Sequence, residues 1–125
     1  MISFTQDRVL FLQKLVIEVS GGSNGVRDYN LLESALQSTF QTFGGVELYP
    51  SIEEKGAWLG FSLVSNHAFV DGNKRIGLLI MLTFLSVNGI NLQFTDDELI
   101  DLGLGLASGK YKYLDLLNWL NNHKC

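Results

Sequence analysis

The chain has 125 residues, 46% hydrophobic and 18% charged, with 13 glycines and a single proline. That is the composition of one globular domain over 1–125, and it excludes disordered and Pro-rich classes. A net charge of −4 argues against general nucleic-acid binding.

Other classes fall away as well. The densest apolar run, Ile76 to Val87, is interrupted by Thr83 and Ser86 and is too short to span a bilayer. Met1 to Asp7 lacks the basic and apolar regions of a signal peptide, so the cytoplasm is the expected location. Cys125 is the only cysteine, which rules out a disulfide framework.

In chain order, Ser3 with Gln6 forms a capping box that opens the first predicted helix. Val9, Leu12, Val16 and Val19 follow at helical spacing, and Gly21 stops it. Asn30 with Glu33 opens a shorter helix to about Ser38. Phe40 to Tyr49 does not read as helix, and Gly44-Gly45 suits a hairpin turn. Ser51 with Glu54 opens a helix to about Asn66. Asn73 begins a nearly all-apolar helix that ends near Asn88 and, having no polar face, must be buried. Thr95 with Glu98 starts another through Ala107, and Tyr113 to Asn121 forms the last. The expectation is an all-α bundle of about six helices with a small hairpin.

Chemistry concentrates in His67-Ala68-Phe69-Val70-Asp71-Gly72-Asn73-Lys74-Arg75, the loop leading into the apolar helix. A helix start presents free N–H groups and the positive end of its dipole, which favours an anion. Gly72 allows close backbone approach. Asn73 can cap the helix or donate its amide. Lys74 and Arg75 are cations where the dipole disfavours them, a conflict that a bound anion would remove. His67 suits proton abstraction near neutral pH. Asp71 reads either as a helix cap or turn residue, or as a hard oxygen ligand for Mg²⁺. Phe69 anchors the loop in the core.

The segment resembles the Fic/Doc motif, H-x-F-x-D/N-G/A-N-K/G-R, and Lys74 points to the death-on-curing (Doc) branch. Gly25-Val26-Arg27-Asp28, Leu31-Leu32-Glu33-Ser34-Ala35-Leu36, Glu47-Leu48-Tyr49-Pro50-Ser51 and Asn88-Gly89 extend the likeness over nearly the whole chain. The resemblance implies a Fic fold in which Phe40 to Tyr49 is a flap near the active site, able to hold an extended target by strand addition. It implies a type II toxin that moves the γ-phosphate of ATP, with Mg²⁺, to a hydroxyl of elongation factor Tu and halts translation. His67 would be the general base, and Asp71 would hold Mg²⁺ or orient the target. Gly72, Asn73, Lys74 and Arg75 would bind phosphate.

Ala68 stands where many members have proline, and Leu78 where many AMP transferases have a second arginine. The inhibitory string S/T-x-x-x-E-G/N is absent, so a separate antitoxin is the expected partner. AMP transfer, or a silent Fic-fold binding module, are the alternatives. Neither direct nucleic-acid binding nor membrane association is expected. Trp58 and Trp119 fit helical core or half-buried positions, Asp96-Asp97-Glu98 a charged first turn, His123 and Cys125 an inert tail, and Arg27 and Asp28 capping or salt-bridge roles.

Overall fold

Local capping sets where most of the helices begin. A computed structural model describes residues 4–23 and 25–125. Among them are α1 (Gln6–Ser20), α2 (Tyr29–Ser38), α3 (Ile52–Ser65), α4 (Asn73–Val87), α5 (Asp96–Ala107) and α6 (Tyr113–Asn122), with a two-stranded hairpin, β1 (Thr42–Phe43) and β2 (Val46–Glu47). The expected boxes at Ser51/Glu54 and Thr95/Glu98 both form, each hydroxyl and carboxylate satisfying the other's orphan N–H.

Two caps differ from expectation. Thr5 caps α1, its hydroxyl accepting the Arg8 N–H at 3.3 Å; the predicted cap Ser3 lies outside the described residues. Asp28 rather than Asn30 caps α2, because one carboxylate oxygen accepts the N–H groups of both Asn30 (2.9 Å) and Leu31 (3.1 Å).

The apolar helix α4 is central, packed on α1, α3 and α5. Its Ile76, Ile80, Met81, Phe84 and Leu85 are fully buried. Glycines bring α3 and α4 close. A Cβ on Gly77 would lie 2.6 Å from Val64 Cγ2, and one on Gly56 would lie 2.6 Å from Leu85 Cδ2. Close packing therefore offsets the roughly 1 kcal/mol that glycine costs inside a helix.

The hairpin is present in the expected segment. Gly44 and Gly45 take φ of 60° and 81°, the left-handed pair that a tight two-residue turn requires. Its root is fastened by Lys55, which is only 1% exposed. The Lys55 ammonium donates to Glu47 at 2.9 Å and to the Tyr49 carbonyl, and lies over the Phe40 ring. Tyr49 stacks on Trp58, whose indole N–H donates to Ser38, so Trp58 is structural as expected.

The hairpin precedes the first turn of α3, and His67 follows the last turn of the same helix.

The C-terminal tail is not idle either. His123 stacks on Trp119 and bonds both the Trp119 carbonyl and the Glu98 carboxylate at 2.6 Å, tying α6 to α5. No described helix is long and apolar enough to cross a membrane.

Candidate active site

The loop between α3 and α4 begins with a conformational exception. Asn66 ends α3, and the next residue, His67, has φ of 55°. That is the helix-terminating position where chains usually place glycine. A histidine there accepts strain that glycine would avoid, a pattern that marks functional sites. The His67 side chain is exposed and has no hydrogen-bond partner among the described residues, so its imidazole is free to meet a ligand.

The rest of the loop is held by backbone and amide bonds. Asn73 accepts the Phe69 N–H at 3.0 Å and donates to the Phe69 carbonyl at 3.1 Å. Phe69 itself is buried. The Asn73 amide is thus spent on closing the loop, and what Asn73 offers a ligand is its main-chain N–H. Gly72, at φ 75°, turns the chain into α4 with no side-chain cap. The first N–H groups of α4 are left open to a ligand, unlike those of α1, α2, α3 and α5.

Asp71 faces a strap formed by the turn after α1. Its Oδ2 accepts the Ser23 N–H at 3.2 Å and its Oδ1 the Gly72 N–H at 2.7 Å. Those two donors, with the Arg75 charge behind them, hold the Asp71 carboxyl below its ordinary value. Strap and carboxylate are so close that a Cβ on Gly22 would lie 2.6 Å from Oδ2.

Arg75 is also engaged. It donates to Ser20 Oγ and, at 3.0 Å, to the Gly21 carbonyl, with Asp71 at 3.8 Å. Arg75 therefore serves the C-terminus of α1, which has no basic residue in its last turn. The conflict between Arg75 and the α4 dipole is relieved without an anion. Lys74 is different: it is exposed, has no polar partner among the described residues, and rests its stem near Gly103.

These groups surround a cleft of about 370 Å³, lined by Val64, His67, Val70, Asp71 to Arg75 and Ala107. A second cleft of about 270 Å³ opens toward the turn between α5 and α6, lined among others by Ser65, Ser108, Gly109 and Lys112. The two share Val64, His67 and Ala107, which together form the divide between them. On the other side of Lys74 and Arg75, an apolar groove of about 400 Å³ runs along Leu78, Leu79 and Leu82 of α4 against Leu99 and Ile100 of α5. A larger recess of about 580 Å³ at the start of α1 has Asp7 and Glu33 as its charged lining, which disfavours phosphate.

Asp71 is the one carboxylate lining the His67 cleft. Among the described residues no cluster of three or more His, Cys, Asp or Glu could hold a metal alone. Asp97 and Glu98 lie in the charged first turn of α5, as expected. Asp71 supplies a hard carboxylate oxygen of the kind Mg²⁺ takes, and a bound ion would need its other ligands from outside the described residues.

Sequence reading missed Arg27 and Ser23 as parts of the site. Arg27 Nε donates to the His67 carbonyl at 2.7 Å and Nη2 to the Asn66 carbonyl at 3.4 Å. Gly25-Val26-Arg27-Asp28 was visible as a string, but nothing local signals a partner 40 residues away.

A sequence model of the Fic/DOC family matches residues 3–85. Over 84 residues the chain is 45% identical to a curated protein named Toxin Doc from Mycolicibacterium smegmatis; the match spans 66% of this chain and 65% of that protein. The chain thus spans just under two thirds of the length of this curated relative. The family match takes in the hairpin, α3, the His67–Arg75 loop and most of α4, and the chain belongs to the Fic/DOC family.

Proposed function

We propose that the chain is the toxin of a toxin–antitoxin pair, a protein phosphotransferase that moves the γ-phosphate of ATP to a hydroxyl side chain of a target protein. The observation that carries this reading is the place of His67: an exposed histidine whose side chain has no hydrogen-bond partner among the described residues, lining both the cleft at the open start of α4 and a second cleft toward the α5–α6 turn. Phosphates would lie over the open N–H groups of α4, beside Lys74. The target hydroxyl would reach His67 from the side of the α5–α6 turn. As the new O–P bond forms and the bond to ADP breaks, His67 takes the hydroxyl proton. Mg²⁺ shared between Asp71 and the phosphates would neutralise charge on the transferring group. Chemistry of this kind needs positioning more than covalent machinery.

The relative's name, Toxin Doc, supports the toxin role, and the Doc-like motif makes elongation factor Tu the target to test first. A toxin needs restraint, and an antitoxin that folds onto this surface would supply it.

The test offers purified elongation factor Tu with Mg²⁺ and either γ-labelled or α-labelled ATP, with His67→Ala as control. Transfer of the γ label alone, lost in the variant, is expected. Transfer of the α label would make the protein an AMP transferase. If neither label moved and His67→Ala left growth arrest intact, the chain would be a binding module.

A further inference from the structure

Arg27 lines neither cleft, yet it bonds the backbone on which His67 stands. His67 is the one described non-glycine residue with positive φ, and left-handed backbone at a side-chain-bearing residue persists only where its surroundings impose it. Here they do. The Arg27 guanidinium lies across the carbonyls of Asn66 and His67. The main-chain N–H groups of Arg27 and Asp28 both donate to the Ala68 carbonyl, at 2.8 and 3.0 Å. The Val70 N–H returns a bond to the Gly25 carbonyl at 3.2 Å. Gly25 to Asp28 is therefore a rail beside the loop, and the Arg27 side chain is the part of that rail that reaches His67.

The arginine also supplies what α3 lacks, since its last turn contains no basic residue and its final carbonyls attract a cation. Arg27 is exposed, so water competes for the same carbonyls. A planar guanidinium outcompetes it by holding two consecutive carbonyls at once, which a lysine ammonium does not match.

We propose that Arg27 is a positioning residue that locks His67 in its left-handed conformation and so aims the imidazole at the divide between the two clefts. The inference rests on the phosphotransferase reading for its kinetic consequence, but not for its conformational one. Without the guanidinium, residue 67 relaxes to negative φ and the imidazole swings off the divide.

The experiment compares native protein, Arg27→Met and Arg27→Lys by two readouts. The first is the sign of φ at residue 67, read from NMR couplings and shifts in each chain. The second is steady-state γ-phosphate transfer. Arg27→Met is expected to lose the positive φ and to lower kcat on the order of 10²-fold, the usual cost of misplacing a reacting group by about 1 Å. KM for ATP should be unchanged, since the phosphate cleft does not include Arg27. Arg27→Lys should fall between the two, and it carries the test if Arg27→Met does not fold. A folded variant that keeps positive φ, or one that loses it with native kcat, overturns the proposal. If native protein transfers no phosphate, the kinase reading fails by itself, and the NMR comparison alone decides the role of Arg27.

Discussion

Asn73 shows how one side chain sets the geometry of the loop. Both ends of its amide are bonded to Phe69, so Asn73→Ala strips a main-chain donor and an acceptor together. We expect urea unfolding to show a loss of about 1–3 kcal/mol, the penalty for leaving such a group without a partner. Asp71 answers to a different measurement. Its carboxyl is held low by Ser23 and Gly72 first and by Arg75 after them, so it is charged throughout the working pH range. Asp71→Asn should raise the Mg²⁺ concentration needed for half-maximal transfer. His67→Ala should lower kcat by ~10²–10⁴ and leave the Mg²⁺ requirement where it was. An unchanged Mg²⁺ titration in Asp71→Asn would remove Asp71 from the metal.

Among the elements, the pairing of α3 with α4 decides how firmly the loop between them is mounted. Gly77→Ala should gain roughly 1 kcal/mol in helix propensity, yet the added methyl meets Val64 at 2.6 Å and main-chain atoms of Val64 and Gly60 at 3.0 and 3.3 Å. Overpacking of this kind costs about 1–3 kcal/mol. We expect a net loss, seen as a lower urea midpoint with unchanged slope; a higher midpoint would mean that the helices can part cheaply. At the other end of α3, Lys55→Met should leave the bundle folded but release Glu47 and the Tyr49 carbonyl. Hydrogen exchange in residues 42–48 is then expected to quicken while α3 and α4 stay protected.

For the whole molecule, the Glu98–His123 pair makes stability depend on pH. The Trp119 carbonyl and then Glu98 raise His123 above its ordinary 6.5. Its contribution is complete below that value and is lost as pH rises through the higher folded one. Hydrogen bonds from Thr95 and then His123 lower Glu98 below 4.5, so its part is complete above 4.5 and is lost as pH falls through the lower folded value. Melting temperature should therefore be flat from about 4.5 to 6.5 and decline on either side, and His123→Gln should remove the alkaline decline. The helices of this protein were legible in sequence because caps, glycine stops and apolar spacing act within one or two turns, as at Ser51 and Thr95. The clamps around the site were not. Arg27 meets His67 across 40 residues, Ser23 meets Asp71 across 48, and Arg75 reaches Ser20 across 55. Such pairings are made by the packing of α1 and α2 against the α3–α4 pair, which no local pattern encodes. The hairpin was legible from Gly44-Gly45, whose left-handed backbone a two-residue turn requires.

The backbone at His67 also bears on how the gene can fail. Asparagine tolerates left-handed φ among the best of side chains, and either histidine codon becomes an asparagine codon by changing its first base. A chain with His67→Asn should keep its fold and every docking surface while losing its base. On the toxin–antitoxin function proposed above, in a cell that carries both alleles the inert copy would occupy antitoxin that the active copy needs for its restraint. A mutation that disarms one copy would then expose the cell to the other.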